Sequence, residues 1–489
     1  MKTVVIIGSG IAALAASVRL KVAGLKVLVF ESNSYPGGKL SEIRNGEFRF
    51  DAGPSLFTMP QFVDELFRAA GKKPEEHFQY TKQEVVCNYF FEDGTKFKAF
   101  SDAKKYAKEA ARVFDVDENT ISEYFERSKL KYDLTQSLFL QKSLHKVSTY
   151  FSVDTIKAIF QINKLGINST LHEENEQWFR DPKLIQLFDR YATYNGSTPY
   201  KTPGIMSMIP HLEQHFGTFL PKGGMIDISQ SIYKLALDLG VEFRFNSSIE
   251  EIRLGQGKVD GVICKGDFIK SDFVLCNMDV VPAYRKLLRD VKAPEKILKQ
   301  ERSSSAVIFY WGMNKLFDDL SLHNIFFAHD YRNEFKVIFE EEKIADDVTV
   351  YINITSKVVA EDAPNGCENW FVMVNAPGNK GQDWDKIIGD LRKIIILKLS
   401  RILQVDIEQH ITTEDVLDPR SIESRTGSFR GSLYGSSSND KFAAFLRHPN
   451  FSSKINGLYF CGGSVHPGGG IPLCMLSGKI ASELIQSKL

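Results

Sequence analysis

Residues 2–31 read KTVVIIGSGIAALAASVRLKVAGLKVLVFE, and this stretch decides the fold. Residues 4–7 are a short run of branched apolar side chains, the mark of a strand buried on both faces. Gly8, Gly10 and Ala13 follow with the spacing G-x-G-x-x-A. Leu14, Ala15, Val18 and Leu20 continue at helical spacing, and Gly24 stands where a helix would stop. A second apolar strand covers residues 26–30 and ends at Glu31. This is the β-α-β opening of a dinucleotide-binding domain. Gly8 allows the tight turn out of the strand, and Gly10 lets a pyrophosphate approach the backbone. Ala13 is small enough for helix and strand to pack closely. Glu31 is placed to accept hydrogen bonds from both ribose hydroxyls. The helix N-terminus offers free N–H groups and the positive end of its dipole. A lone glycine motif is weak. Here strand, turn, helix, strand and acid occur together, which disfavours a glycine-rich turn that binds nothing.

Three later segments favour FAD over NAD. In SNSYPGGKLSEIRNGEFRFDAGPS, Pro36, Gly37, Gly38 and Lys39 make a second glycine turn just past the ribose acid. A basic residue there can neutralise the pyrophosphate from its other side. Residues 51–55 add a small-residue turn around Gly53, against which a flat ring system could lie. In LPKGGMIDISQSIYKLALDLGVEFRFNSSIEEI, a turn at Gly223 and Gly224 precedes an amphipathic helix to residue 239. Strands over 241–245 and 249–254 follow, then a hairpin at 255–257, a strand over 259–264 and a strand within 271–279 that returns to the sheet. Gly255, Gly257 and Gly261 have neither the spacing nor the following helix of a second dinucleotide site. Near the far end, NGLYFCGGSVHPGGGIPLCMLSGKIASELI gives a strand over 457–461, a glycine loop and a helix from about Pro472, a residue suited to a first turn. So much glycine beside apolar residues implies that the backbone itself meets a large flat cofactor.

At 489 residues the chain exceeds a single core, so two or more domains are expected. Lys+Arg and Asp+Glu both number 61, so nothing in the charge balance points to nucleic acid. The 36 Phe and 17 Tyr suit a large apolar cavity, or simply an aromatic core. Six cysteines occur without a C-x-x-C pair, which argues against zinc and dithiol chemistry and for a reducing, cytoplasmic setting. No apolar run is long enough to span a bilayer.

With these segments in hand, the sequence resembles the bacterial and fungal phytoene-desaturase-type carotenoid desaturases. The resemblance rests on GSGIAA with Glu31, PGGKL with FDAGPS, PKGGM, SDFVLCNMD and GLYFCGGSVHPGGGIP, which occur in the expected order over essentially the whole chain. DAGPSLFTMP and NSYPGGKLSE look most like the desaturases of 1-hydroxycarotenoids. The resemblance implies an α/β fold: a Rossmann-type FAD-binding domain of the amine-oxidase-like flavoproteins, a discontinuous α+β substrate domain and a helical, membrane-facing part. The expected FAD domain comprises 1–77 with 221–279 and 421–489, and the substrate domain 78–220 with 280–420. Gly8, Gly10, Ala13, Glu31, Gly38, Lys39, Gly53, Ile249, Gly462 and Gly463 carry over as cofactor contacts, with Gly470 and Pro472 beside them. Ile249 would meet adenine through its backbone. No metal is expected.

The implied reaction introduces a C–C double bond by hydride transfer to flavin N5. It would be C-3,4 desaturation of a 1-hydroxycarotenoid such as 1'-hydroxy-γ-carotene, with phytoene desaturation as the alternative. Oxygen or a quinone would re-oxidise the flavin. His466, in the flavin-side loop, is the candidate catalytic base. Residues 132–162, with Lys142, Lys146 and Lys157 among apolar residues, are a candidate membrane-surface segment, and residues 324–330 (NIFFAHD) a candidate apolar wedge. Both segments read equally well as amphipathic packing on a core. The rival readings are an amine oxidase, a retinol-saturase-like oxidase, a non-catalytic carotenoid carrier and an NAD-dependent dehydrogenase.

Overall fold

The two apolar runs that flank the first glycines become neighbours in a parallel sheet. In the computed structural model, which describes residues 1–136, 165–440 and 446–489, five strands run in the order Leu458–Phe460, Phe273–Cys276, Thr3–Ile7, Lys26–Phe30 and Glu242–Arg244. Every pairing is parallel, with Val4 opposite both Val27 and Phe273, and Cys276 opposite Phe460. Val4, Val5 and Ile6 have no exposed surface, because both sheet faces are covered.

One face carries three helices, Ile11–Val22, Ile226–Asp238 and Ile471–Gln486. The first and last approach so closely that a Cβ on Gly478 would strike the Ala12 carbonyl. This is why the first helix is built from Ala12, Ala13, Ala15 and Ala16, all buried. The other face packs Val5, Ile7, Leu28 and Phe30 against a three-stranded antiparallel sheet of Ile249–Gly255, Lys258–Cys264 and Asp267–Lys270. The hairpin at residues 255–257 is where the sequence places it. The third strand, Asp267–Lys270, is not foreseen by it.

A second sheet has seven strands, in the order Ile411–Leu417, Ser305–Met313, Glu368–Ala376, Val350–Asn353, His323–Phe326, Val85–Phe90 and Lys96–Phe100. All pairings are antiparallel except that of His323–Phe326 with Val85–Phe90. All nine residues of Ser305–Met313 are buried.

Here one expectation is corrected. Residues 324–330 are no membrane wedge. Phe326 is completely buried and stacks on Phe90 with ring centroids 4.5 Å apart, and Phe327 stacks on Phe91 at 5.0 Å. An interior strand with both faces covered has the same apolar run as a wedge, so the sequence alone does not separate them. Of the candidate membrane segment, only Tyr132 to Gln136 are described, and the remainder lies outside the described residues. Among the described residues, no helix is long and apolar enough to cross a membrane.

Arg49 ties the two sheets' surroundings together. It lies on Phe48–Asp51, which pairs with Glu42–Asn45. Its guanidinium bonds Asp51 at 2.5 Å, Asp362 at 3.1 Å and Glu42 at 3.0 Å. Asp51 in turn accepts from Met225 N and Ile226 N at the start of the second helix. A Cβ on Gly224 would collide with the Arg49 guanidinium. Two segments read separately in the sequence, FDAGPS and PKGGM, are thus joined through the Asp51 carboxylate that Arg49 holds.

Candidate active site

The carboxyl ends of the parallel strands open into a cavity of about 810 Å³ that continues to the inner face of the seven-stranded sheet. Gly8, Gly10, Glu31, Gly38, Lys39, Gly53, Ile249, Gly462, Gly463, Gly470 and Pro472 all line it. Residues more than 400 positions apart therefore meet at one surface, at the topological switch of a parallel sheet. Ala13 does not line it. It is fully buried between helix and sheet, the packing task read from its size.

The backbone forms a cradle that side chains would fill. Gly8 leaves its strand at φ +88° and donates to the Phe30 carbonyl at 2.7 Å. A Cβ on Gly10 would sit 2.6 Å from Asn277 Oδ1, and one on Gly462 would sit 2.6 Å from Asn277 Nδ2. Asn277 stands between the first and last glycine loops, donating from Nδ2 to the Cys461 carbonyl. Gly470 has φ +94° with nothing within 4 Å of a Cβ position, so there the backbone faces open cavity. Helices Ile11–Val22 and Ile471–Gln486 begin at Gly10 and Gly470. Neither start has a side-chain cap or an acid in its first turn, which leaves two unneutralised helix N-termini at the cavity. That donor set fits a dinucleotide's pyrophosphate.

Glu31 is buried and fixed. Its Oε2 accepts from Ser9 N at 2.7 Å and Ser9 Oγ at 2.8 Å. Its Oε1 accepts from Asn33 N at 2.9 Å and Ser32 Oγ at 3.1 Å. The two serine hydroxyls can rotate away and yield their places to ribose hydroxyls.

Lys39 differs from expectation. Its Nζ donates to the carbonyls of Ser432 at 3.1 Å and Leu433 at 2.7 Å, so most of its donor capacity is already spent on the chain. Burial lowers its pKa from the ordinary lysine value of 10.5 to about 8, with the Asp279 carboxylate opposing the shift. Below about 8 the ammonium is charged in folded and unfolded states alike, and its burial penalty is constant. Between about 8 and 10.5 the unfolded chain binds the extra proton, so stability of the flavin-free protein rises with pH. Lys39→Met is expected to remove that rise. Urea denaturation of both proteins below and inside this window checks it, and identical pH slopes would refute it.

His466, the candidate base, is 1% exposed and is not part of the cavity wall. Its carbonyl accepts from Asn450 Nδ2 and Ser477 Oγ, both at 2.8 Å. These bonds pin the loop that carries it.

The far end of the cavity holds groups the sequence does not single out. Arg190 and Glu213 form an ion pair at 3.1 Å, 6% and 2% exposed. Tyr191 OH donates to Glu213 Oε2 at 2.5 Å and Tyr194 OH to Oε1. His323 Nδ1 lies 2.7 Å from Tyr351 OH and 3.2 Å from Asn353 Nδ2, and Tyr351 OH lies 2.8 Å from Ser55 Oγ. Asn353 also donates to the Leu322 carbonyl, which orients its amide. Nδ1 of His323 is therefore an acceptor and Nε2 carries the proton. Burial, and then the charge of Arg190, lowers the His323 pKa to about 3, so the ring is neutral. The only signal for these residues is the spacing of Tyr191 and Tyr194 around Arg190 in FDRYATYN, which reads equally well as a surface helix.

A dinucleotide cradle joined to a deep cavity under a mixed sheet defines a class. The chain belongs to the flavin containing amine oxidoreductase family, whose model matches residues 11–486. Within it, the chain is 57% identical over 99% of both sequences to a 1-hydroxycarotenoid 3,4-desaturase from Flavobacterium sp. (strain P99-3). It is 32% identical to a 4,4'-diapolycopene oxygenase from Methylomonas sp, covering 99% of this chain and 98% of that one. A phytoene desaturase from Fusarium fujikuroi is 30% identical, covering 99% and 89%. Among solved structures, a cofactor-binding variant of putrescine oxidase superposes with a TM-score of 0.67 at 14% identity, covering 100% and 99%. Cyclohexylamine oxidase from Brevibacterium oxydans IH-35A gives 0.63 at 13%, covering 100% and 99%. These two show the fold alone.

Proposed function

We propose that the protein is an FAD-dependent desaturase that introduces the C-3,4 double bond into a 1-hydroxycarotenoid. The observation that carries this reading is the single cavity, with a dinucleotide cradle at one end and a deep apolar wall at the other. The near-full-length relatedness to a 1-hydroxycarotenoid 3,4-desaturase supports the choice of substrate. FAD, when bound, supplies an acceptor for hydride at N5.

The chain's own residues do the rest. Gly8, Gly10 and the two helix N-termini would hold the pyrophosphate, with Lys39 contributing positive charge from its other side. Glu31 would hold the ribose, and the backbone at Ile249 would meet adenine. Gly38, Gly53, Gly462, Gly463, Gly470 and Pro472 would leave room for the flat ring. Residues 1–77, 221–279 and 421–489 serve the cofactor, and residues 78–220 and 280–420 hold the polyene against it. Hydride leaves one carbon and a proton leaves its neighbour, so the substrate loses two electrons and two protons. The cation formed beside a polyene is delocalised and acidic, and its proton passes to water without a dedicated base. His466 is given no part. Positioning accounts for most of the rate. Oxygen or a quinone takes the electrons onward. A polyene this insoluble reaches the cavity from a membrane surface, on which the protein sits peripherally at the cytoplasmic side.

Expression in cells that make phytoene, other acyclic, monocyclic and 1-hydroxylated carotenoids, followed by pigment mass analysis, tests the reading. Loss of two hydrogens from the hydroxylated pigments alone is the expected result. Conversion of phytoene would replace the reading with phytoene desaturation. Bleaching of the purified flavoprotein by amines but not by carotenoids would replace it with amine oxidation.

A further inference from the structure

We propose that Arg190 recognises the substrate's end-group hydroxyl, donating a hydrogen bond from Nη1 to the tertiary alcohol oxygen. The assignment rests on the desaturase reading above and adds to it a residue that selects the substrate.

The far wall of the cavity is mostly apolar, built by Ile308, Ile325, Phe371, Met373 and Leu417. A bare polyene needs nothing else. Into this wall comes a buried ion pair whose desolvation an apolar pair would avoid. Arg190 is also under-used. Nη2 serves Glu213, Nε is buried without a partner, and Nη1 makes no hydrogen bond among the described residues. A buried guanidinium with free N–H groups is costly unless a ligand satisfies it.

The donor is held in place. Its guanidinium carbon sits 4.3 Å from the ring centroid of Tyr191, 5.2 Å from Tyr89 and 5.6 Å from Tyr194. Glu213 fixes its fork and is itself fixed by two tyrosine hydroxyls. The carboxylate has a second use. An unpaired cation here would oppose the positive charge that hydride removal creates on the polyene, and Glu213 cancels it. His323, another polar residue of this cavity, is not the reader: its Nδ1 is engaged and its Nε2 is buried.

Position agrees with the chemistry. Arg190, Tyr351, Ser55 and Tyr434 all line the same cavity, and Tyr351 bonds Ser55 beside the Gly53 turn. Tyr434 packs against Gly469 in the last glycine loop. The hydroxyl station thus shares one continuous cavity with the loops assigned to the flavin ring. In the substrate only C-2 separates the hydroxyl-bearing carbon from the bond that reacts. Anchoring the oxygen would set the C-3–C-4 bond in register.

The test uses flavin-loaded enzyme, a 1-hydroxylated carotenoid and the same carotenoid lacking the hydroxyl, both in detergent. Binding is read from the pigment's absorption shift, and turnover from product mass. The variants are Arg190→Gln and the pair Arg190→Gln with Glu213→Gln, the second leaving no lone carboxylate. Wild type is expected to bind the hydroxylated pigment about tenfold or more tighter. Both variants should erase that preference while binding the dehydroxylated pigment within about threefold of wild type. A preference that survives in the double variant, or an equal loss for both pigments, overturns the assignment. A hydroxyl preference lost in the variants but with no 3,4-unsaturated product from wild type upholds Arg190 as the reader and rejects the reaction.

Discussion

Gly10→Val is expected to yield a folded protein that no longer retains FAD. Gly10 has ordinary backbone angles, φ −64° and ψ 168°, so valine strains nothing by itself. The cost lies in what the side chain meets. Its Cβ would fall 2.6 Å from Asn277 Oδ1, and Asn277 is held by the Cys461 carbonyl and, through its backbone N–H, by Ile7 O. Either the amide leaves its place between the two glycine loops or the first helix start shifts. Both changes also put methyl groups where the phosphates would lie. Overpacking of this kind costs about 1–3 kcal/mol, and the loss of the helix N-terminus adds to it. FAD affinity should fall about a hundredfold or more, which is ~2.7 kcal/mol. Flavin absorbance per mole of purified protein reads this directly, and circular dichroism confirms the fold. A variant that purifies with wild-type flavin content would refute the cradle.

The second large effect concerns stability. Arg49→Leu should lower the unfolding free energy by about 3–5 kcal/mol, because Asp51 and Asp362 are left as buried carboxylates without a cation. The melting temperature should drop by about 3–5 °C. Arg49→Lys should recover only part of this. One ammonium cannot reach Glu42, Asp51 and Asp362 as the planar fork does. Because Asp51 also receives Met225 N and Ile226 N, the start of helix Ile226–Asp238 should loosen first, visible as faster amide exchange at those two residues. A melting temperature within about 2 °C of wild type would show that the cation is dispensable.

The nucleotide half of the fold is legible in the sequence because its signals are local. Gly8, Gly10, Ala13 and Glu31 lie within one β-α-β unit, and the last glycine loop announces itself by composition. The other half is not local. The seven-stranded sheet pairs Val85–Phe90 with His323–Phe326, strands more than 200 residues apart, and no periodicity records that partnership. Asn277 looks like any residue at the end of a strand until Gly10 and Gly462 arrive on either side of it. Arg190 and Glu213 sit on helical segments where charged residues usually face water. Their burial comes from Tyr89, Tyr191 and Tyr194 closing around them, a tertiary event. His466 shows the limit of reading position from neighbours. It sits in a loop with cavity-lining glycines on both sides, yet it is 1% exposed and does not line the cavity itself.

The edge strand Leu458–Phe460 and the helix Ile471–Gln486 complete a sheet that begins at Thr3. A ribosome must therefore add more than 450 residues before the sheet gains its edge strand and the first helix its last neighbour. Until then the first helix, with its run of alanines, has no Gly478 against which to rest. The cradle that Gly8 and Gly10 share with Gly462 and Gly470 is therefore complete only once residue 470 has left the ribosome.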